Sequence, residues 1–210
     1  MEDANKVSNW NGAKTSPEVI IDPEFGAFGD NGCIDFIKTS IDQELDQNSL
    51  LPQSFTYEKY FAGKYIGELA RLILVKLNLG LKFKAFEEKD AFTAAMLSHI
   101  LQEGADLDNI LNLQLNEDEK KIVKQVCHIL SERCALLVAI PMAVFIERMT
   151  RKDHVGIAVT GSLYKLHPTI KTALEKYIGK LVPDRKFHTF LSDDGSGKGA
   201  GLVAAIAQRI

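Results

Sequence analysis

The last third of this 210-residue chain alternates between strand and helix patterns, and that alternation limits the folds open to it. The run HVGIAVTGSLYKL is apolar and β-branched up to a Thr-Gly-Ser turn, and HPTIKTALEKYIGKL has the period of an amphipathic helix. KFHTFLS then alternates like a strand, and DDGSGKGAGLVAAIAQRI is typical of a glycine loop followed by a helix. This β-α-β-α order predicts a short sheet flanked by helices, so the chain belongs to the α/β class.

The middle of the chain has helical periodicity. Apolar residues at spacings of three and four predict one helix over about 57–77. Further helices are expected over 90–103, ended by Gly104, and over 106–113. The segment 34–50, rich in Asp, Gln and Ser, predicts a short helix or irregular structure.

A long helix is expected to begin at Asn116. Asn116 with Glu119 three residues later forms a capping box, which satisfies amide donors at a helix start. The apolar stripe that follows is one-sided at first and nearly continuous around the helix later, which predicts that the second half is buried. We also expect Pro141 to kink this helix and Cys134 to be a small core residue.

The beginning of the chain has a different character. Residues 1–18 are polar and predict a loop or a tail, and Val19 to Ile21 predict a strand limited by Pro23. The glycines of FGAFGDNG then predict a tight turn rich in exposed backbone.

Composition excludes several classes of protein. A formal net charge of −3 gives no basic field for nucleic acid, so no nucleic-acid partner is expected. The 3 cysteines form no C-x-x-C pair, which favours a reducing, cytoplasmic location. The longest apolar run, 134–146, is short for a bilayer span, and the first residues lack a signal-peptide pattern, so no membrane segment is expected.

Two glycine turns are candidate anion or nucleotide sites. The loop DDGSGKGAG frees backbone amides at the start of a helix and adds the cation of Lys198, although it lacks the spacing of a Walker loop. Thr160-Gly161-Ser162 ends a strand, where α/β sheets usually bind ligands. Each turn is also compatible with simple packing, but adjacent strand ends would bring both to one cleft.

Glu24 and Glu58 are the carboxylates that stand apart from solvated faces, because each lies among aromatic residues at a segment boundary. A carboxylate accepts several hydrogen bonds, which suits a polyhydroxylated ligand such as a sugar. For Glu58, a plain solvated helix turn is the alternative.

Other chemistries lack a pattern. The 5 histidines are scattered, so no metal site is predicted. No G-x-S-x-G elbow indicates nucleophilic catalysis.

Four blocks in order, EFGAFGDNG, YEKYFAGKYIGELARLILVKL, TGSLYKLHP and LSDDGSGKGAGLVAA, resemble the large lobe of eukaryotic hexokinases. The resemblance spans nearly all of the chain. It implies an actin-like, ribonuclease-H-like lobe with a mixed sheet flanked by helices, and phosphorylation of a hexose such as glucose at its 6-hydroxyl by ATP with Mg²⁺, the first step of glycolysis. The implied regions are a lead-in at 1–18, a sugar-binding turn region at 19–56, a helical region at 57–150 and a nucleotide-binding region at 151–210.

The resemblance also implies roles for individual residues. Glu24 and Glu58 match the two glutamates that accept hydrogen bonds from the hexose. The residues that match nucleotide contacts, with Mg²⁺ held through the nucleotide and no protein metal ligand, are Gly63, Lys64, Glu132, Arg133, Gly161, Ser162, Leu163, Tyr164, Lys165, Gly195 and Ser196.

The chain departs from the family pattern at several positions. Thr160 replaces a common acid, Phe55 stands where many members carry Gln, Glu132 replaces a common Thr, and Phe25 replaces Trp. The family's general base, an Asp of the small lobe, matches no residue of this sequence. A kinase without that base loses about 10²- to 10⁴-fold in rate, so this chain alone is expected to be inactive or nearly so.

Three interpretations follow. The preferred one is the large lobe of a hexokinase, with the small lobe, hexose and ATP as partners and with mitochondrial surface association left open. The second is a non-catalytic sugar- or nucleotide-binding or regulatory protein. The third is another actin-like ATPase, against which the two sugar-type glutamates argue.

Overall fold

Helices dominate the computed structural model, which describes residues 2–3, 18–19, 21–79, 86–149 and 154–208. The strands are Glu2–Asp3 (β1), Glu18–Val19 (β2), Val155–Val159 (β3) and Phe187–Leu191 (β4). The helices are Ser40–Gln47 (α1), Gly63–Lys76 (α2), Ala94–Ile100 (α3), Leu107–Leu111 (α4), Glu117–Arg148 (α5), Ser162–Leu166 (α6), Ile170–Leu181 (α7) and Gly195–Ala207 (α8), with 3₁₀ turns at Phe25–Ala27, Asp35–Ile37 and Glu58–Tyr60.

Strands β3 and β4 pair in parallel, as the β-α-β-α pattern predicts. Val155 lies opposite Phe187, and Val159 lies opposite Leu191. A parallel pair needs a crossover connection, which α6 and α7 supply. Both strands therefore end at the same edge, and the two glycine turns that follow them are neighbours.

Helix α5 packs against α7 along a face of small residues. Ala135, Ala139 and Ala143 are buried at a spacing of four, which places them on one face and lets α7 approach closely. Leu174 and Ile178 of α7 complete this contact. A second core lies among the five helices α1, α2, α3, α4 and α5. Its buried residues include Ile66, Leu69, Leu74, Phe92, Leu97, Ile100, Val123, Cys127 and Cys134.

The start of α5 agrees with its capping box. The Asn116 side chain accepts hydrogen bonds from the backbone N–H groups of Asp118 and Glu119 at 3.0 and 2.9 Å. The Glu119 carboxylate accepts from the backbone N–H of Asn116 at 2.6 Å. Helix α5 continues through Pro141 to Arg148.

The prediction that the second half of α5 is buried is wrong on one side. Leu136, Ile140 and Val144 are 36%, 41% and 50% exposed. The alanine face is what packs on α7, so the larger residues of the opposite side remain outside that contact. By length and composition alone α5 could cross a membrane, and 44% of its most apolar window is buried in this structure.

The other central helices are shorter than the periodicity predicts. Helix α2 begins at Gly63, because Glu58–Tyr60 form a 3₁₀ turn and Phe61, with φ −138°, leaves the helical region. Helix α3 spans only Ala94–Ile100, since the Thr93 side chain caps its start.

Two more predicted boundaries shift. Helix α4 spans Leu107–Leu111 because Asn112 ends it in the left-handed conformation at φ 50°. Near the amino terminus, Glu2–Asp3 pair antiparallel with Glu18–Val19, so the ends of the polar lead-in form a ladder. The expected strand 19–21 is described only at Val19, because Ile20 lies outside the described residues and Ile21 lies beyond the ladder.

Candidate functional site

Glu24 opens the glycine-rich turn in a strained backbone conformation. Its φ of 44° and ψ of 42° are left-handed, which is uncommon for a residue other than glycine. Its carbonyl oxygen accepts a hydrogen bond from the Ala27 N–H at 3.1 Å and so starts the 3₁₀ turn. Strain of this kind concentrates at functional positions. Glu24 is exposed and lines a groove of about 540 Å³ with Phe28, Tyr57 and Ile140.

Asp30 fastens this turn to the segment that carries Glu58. Its carboxylate accepts hydrogen bonds from the backbone N–H groups of Phe55 at 3.0 Å and Thr56 at 2.8 Å. Burial acts to raise the pKa of Asp30, but these hydrogen bonds and the charge of Lys59 together hold it below its ordinary value. Asp30 is therefore an anion that joins two segments about 25 residues apart.

Glu58 packs against the turn two residues after Glu24. A Cβ atom added to Gly26 would lie 3.4 Å from Glu58 Cβ, 3.5 Å from its Oε2 and 3.6 Å from a ring carbon of Phe55. Glu58 is half-buried on its 3₁₀ turn, so it does not lie on a solvated helix face. The structure thus places Glu58 against the turn that Glu24 opens, but Glu58 does not line the groove beside Glu24.

Buried polar contacts hold the Glu58 turn against α5. The Tyr57 hydroxyl donates a hydrogen bond to the Leu137 carbonyl at 2.6 Å, and burial raises the pKa of Tyr57 to about 12. Three residues after Tyr57, the Tyr60 ring lies 4.9 Å from the guanidinium of Arg133. These contacts leave the turn little freedom to rotate.

A second pocket, of about 420 Å³, lies where α2 and α6 begin. It brings together Gly63, Lys64, Gly161 and Ser162, which come from segments about 100 residues apart. Gly161 has φ 122°, a conformation that favours glycine. The same pocket is also lined by Cys134, Ala135, Val138, Thr160, Leu163 and Tyr164.

The loop before α8 lies beside this pocket's α6. Ser192 N–H donates to the Val159 carbonyl at 2.9 Å, which continues the pairing of β3 and β4. Lys165 on α6 pairs with Asp193 at 3.0 Å, and Lys198 donates to the Asp193 carbonyl at 2.8 Å. The two glycine turns therefore lie at one edge of the sheet, as expected, but no residue of the loop before α8 lines the second pocket. Gly195 and Ser196, at the start of α8, follow this loop directly.

Glu132 and Arg133 are engaged elsewhere in this structure. The Glu132 carboxylate accepts hydrogen bonds from the Tyr177 hydroxyl and from Lys176, and these contacts lower its pKa. Arg133 forms two hydrogen bonds with Asp42, at 2.8 and 2.9 Å. Their assignment as nucleotide contacts stays a prediction.

Sequence reasoning did not single out Asp30, Asp42 or His167. Asp30 stands in the resembling block EFGAFGDNG, but its partners at 55 and 56 leave no local signal. His167 Nδ1 accepts hydrogen bonds from the N–H groups of Thr169 and Ile170 at 3.2 and 3.3 Å, so it caps α7.

Among the described residues, no group of three or more His, Cys, Asp or Glu side chains could hold a metal ion. The second pocket instead offers the cation of Lys64, the hydroxyl of Ser162 and the backbone of two glycines. These groups suit a phosphate group better than a metal ion.

The chain matches a family model described as hexokinase over residues 1–206. Human hexokinase HKDC1 is 35% identical over 228 aligned residues, which cover 100% of this chain and 24% of that protein. Human hexokinase-1 is 36% identical over 209 residues, covering 91% of this chain and 23% of that protein. The chain therefore spans about a quarter of the length of these relatives.

Solved structures agree. A hexokinase from Schistosoma mansoni, complexed with glucose, has a TM-score of 0.84 and 32% identity, and the match covers 97% of this chain and 49% of that one. A second hexokinase structure, at 23% identity and a TM-score of 0.70, shares the fold over 82% of this chain and 40% of its own.

Proposed function

Since this chain belongs to the hexokinase family, we propose that it is the large lobe of an enzyme that phosphorylates a hexose with ATP. The observation that carries the proposal is the meeting of the Glu24 turn and Glu58 at Gly26. Glu24 opens the turn and Glu58 packs against it, and two carboxylates on such adjoining segments would suit a ligand with several hydroxyl groups.

We propose glucose or a related hexose as the substrate. The Schistosoma mansoni hexokinase that is similar to this chain over 97% of its length was solved with glucose. Glu24 and Glu58 would accept hydrogen bonds from the sugar hydroxyls, since an ionised carboxylate only accepts. Asp30 would keep the spacing of their segments through its bonds to Phe55 and Thr56.

We propose ATP as the phosphoryl donor, bound at the second pocket. The positive charge of Lys64 would attract phosphate oxygens. The glycine backbone at Gly63 and Gly161 would let the nucleotide approach closely. Gly195 and Ser196, at the start of α8, would contact the adenosine side. Mg²⁺ would be held by the phosphates and would neutralise their charge during transfer.

We further propose that these 210 residues alone transfer little or no phosphate. The family's general base matches none of them, and a small lobe would have to supply it. The exposed apolar side chains of α8 support the need for a covering partner: Leu202, Val203 and Ile206 are 66%, 67% and 59% exposed. Apolar side chains exposed close together on one helix are typical of interaction surfaces.

A cytoplasmic location is proposed on chemical grounds. Cys33, Cys127 and Cys134 are free thiols. Burial raises the pKa of Cys127 and Cys134 to about 12, which keeps both as unreactive thiols.

A non-catalytic, ligand-binding role is the second candidate. Thr160 lines the second pocket where an acid is common in the family, and Glu132 is held by Tyr177 and Lys176. Both observations favour a nucleotide pocket whose side chains differ from those common in the family.

Calorimetric titration of the 210-residue chain with glucose tests the sugar site. We expect Glu24→Gln and Glu58→Gln each to weaken glucose binding by about tenfold or more, since hydrogen bonds to a charged group contribute about 1.5–3 kcal/mol. Glu147→Gln, at an exposed position of α5, is the matched control and should bind like the wild type. Equal binding by all three variants would refute the sugar site.

A coupled assay separates the two candidates. Mixing the chain with a hexokinase small lobe should restore glucose-dependent ADP release if the chain is a catalytic lobe. Binding of glucose without any restored turnover would favour the non-catalytic role.

A further inference from the structure

Phe55 has an unusual backbone conformation for an aromatic residue. Its φ is 52°, in the left-handed region that a bulky side chain rarely adopts. Its side chain is also 39% exposed, so burial of the ring in a core does not explain the conformation. An observed outlier of this kind is a reason to look for a function.

The conformation of Phe55 is fixed by its neighbours. The Asp30 carboxylate accepts hydrogen bonds from the N–H groups of Phe55 and Thr56, at 3.0 and 2.8 Å. Consecutive N–H groups that converge on one anion require a bent backbone. Asp30 thereby sets the position from which the Phe55 ring projects.

The ring projects to the place where Glu58 meets the glycine turn. Its Cδ1 atom lies 3.6 Å from the position of a Cβ on Gly26, and the Oε2 atom of Glu58 lies 3.5 Å from the same position. The apolar ring and the carboxylate oxygen therefore lie at van der Waals distance from the same point beside Gly26, and neither is buried. A hexose matches such a pair, because its hydroxyl groups bind carboxylates while its C–H groups pack on aromatic rings.

We propose that Phe55 is a specificity-determining residue that forms an apolar wall of the sugar site. This inference rests on the hexose site proposed above. At the carbon that faces Phe55, the site makes no hydrogen bond to a hydroxyl. It therefore accepts hexoses that lack this hydroxyl, or that carry an apolar substituent there, as readily as the parent sugar.

The test compares glucose with its four analogues lacking the hydroxyl at carbon 1, 2, 3 or 4. Binding is measured for the wild type, Phe55→Asn and the control Phe36→Asn, which removes a ring that is 85% exposed on another turn. Asn is chosen because it tolerates the left-handed region and adds an amide.

We expect one analogue to bind the wild type and F36N as well as glucose does, within about twofold. The same analogue should bind F55N about fivefold more weakly than glucose, because the new amide gains one hydrogen bond to the hydroxyl, about 1 kcal/mol. Identical analogue profiles for wild type and F55N would overturn the proposal while leaving the hexose site intact. If none of these sugars binds the wild type, both this proposal and the hexose site are overturned.

A second measurement needs no variant. In the wild type with bound glucose, we expect nuclear Overhauser effects between the Phe55 ring protons and sugar C–H protons. Bound glucose that shows such effects to other residues of the site but none to Phe55 would also overturn the proposal.

Discussion

The imidazole of His167 is hydrogen-bonded to the hydroxyl of Ser131, with 3.0 Å between Nε2 and Oγ. Since Nδ1 accepts from two backbone N–H groups, the proton is on Nε2, which donates to Ser131. Ser131 in turn donates to the Cys127 carbonyl at 2.7 Å. A neutral, buried histidine thus joins the start of α7 to the middle of α5.

This arrangement predicts that the protein loses stability in mild acid. Burial lowers the pKa of His167 from 6.5 to about 4. The unfolded chain therefore binds a proton below pH 6.5, whereas the folded chain does not until about pH 4. The contribution of His167 is present above pH 6.5 and is lost as the pH falls towards 4, by roughly 3 kcal/mol at most at 1.36 kcal/mol per unit.

Urea unfolding at several pH values between 7 and 4 checks this prediction. His167→Asn keeps a cap for α7 but cannot titrate, so its free energy of unfolding should fall less over that range. His99→Gln, at an exposed position of α3, is the control and should behave like the wild type. Equal pH dependence in H167N and wild type would assign the effect to other groups.

Gly26→Ala should separate binding from stability. The added Cβ would lie 3.4–3.6 Å from Glu58 and Phe55, which is ordinary contact, so the fold should tolerate it. The methyl group would nevertheless fill the space between the carboxylate and the ring. We expect a thermal midpoint within a few degrees of wild type and a large loss of glucose binding by calorimetry.

Gly67→Ala is the opposite case and serves as its comparison. Its Cβ would lie 2.5 Å from the Phe92 carbonyl oxygen and 2.7 Å from the Ala94 backbone nitrogen. Because backbone cannot move aside as a flexible side chain does, we expect a loss of about 1–3 kcal/mol or more in the free energy of unfolding. A stable G67A would show that α2 and α3 can separate without cost.

Asp30→Ala should weaken sugar binding and leave nucleotide binding unchanged. The substitution removes the acceptor of the Phe55 and Thr56 N–H groups, and only the Thr56 N–H lies at a buried residue, so we expect a cost of about 1 kcal/mol. Asp30→Asn retains an acceptor oxygen, so it should lose less glucose affinity. Equal losses for glucose and ATP would instead indicate general unfolding.

Lys64→Met should have the reverse selectivity. It removes a cation from the second pocket but leaves the Glu24 turn untouched. We expect ATP binding, measured by calorimetry, to fall by about tenfold or more, as for a lost charge-assisted hydrogen bond. Lys121→Met, an exposed lysine near the start of α5, controls for the change in net charge. Wild-type ATP affinity in K64M would exclude this lysine from the site.

Arg133 and Asp42 should behave as a coupled pair. The Asp42 side chain is 0% exposed and the Arg133 side chain is 25% exposed. Removing Arg133 alone takes the cation from a buried carboxylate that still accepts hydrogen bonds from the Thr39 N–H and hydroxyl. We expect a loss of about 3 kcal/mol, the lower end for a broken buried ion pair. In urea unfolding, the double variant Asp42→Asn with Arg133→Met should lose clearly less than the sum of the single losses. Additive losses would show that the pair contributes little.

Local signals predicted the elements that depend on neighbouring residues. The capping box at Asn116 gave the start of α5, and the strand and helix periods after residue 153 gave the parallel pair. The predicted helix over 57–77 is too long, because the apolar spacing of three and four continues through Glu58–Tyr60. In the structure these residues form a 3₁₀ turn, which tertiary contacts such as the hydrogen bond from Tyr57 to Leu137 favour.

The arrangement of the site depends on contacts that no local pattern encodes. The sequence context singles out Glu24 and Glu58, and the resemblance predicts their role, but the hydrogen bonds from Phe55 and Thr56 to Asp30 join residues about 25 positions apart. The exposed side of α5 was missed for a similar reason, since periodicity cannot show which of two apolar faces α7 covers.

The most direct test of the hexose site is an amide chemical-shift titration of the isotope-labelled chain with glucose, which detects weak binding. We expect the shifted amides to cluster in residues 24–30 and 55–60, and the shifts to disappear in the double variant Glu24→Gln with Glu58→Gln. Absent shifts, or shifts confined to residues outside these two segments, would contradict the assignment of this chain as a hexose-binding lobe.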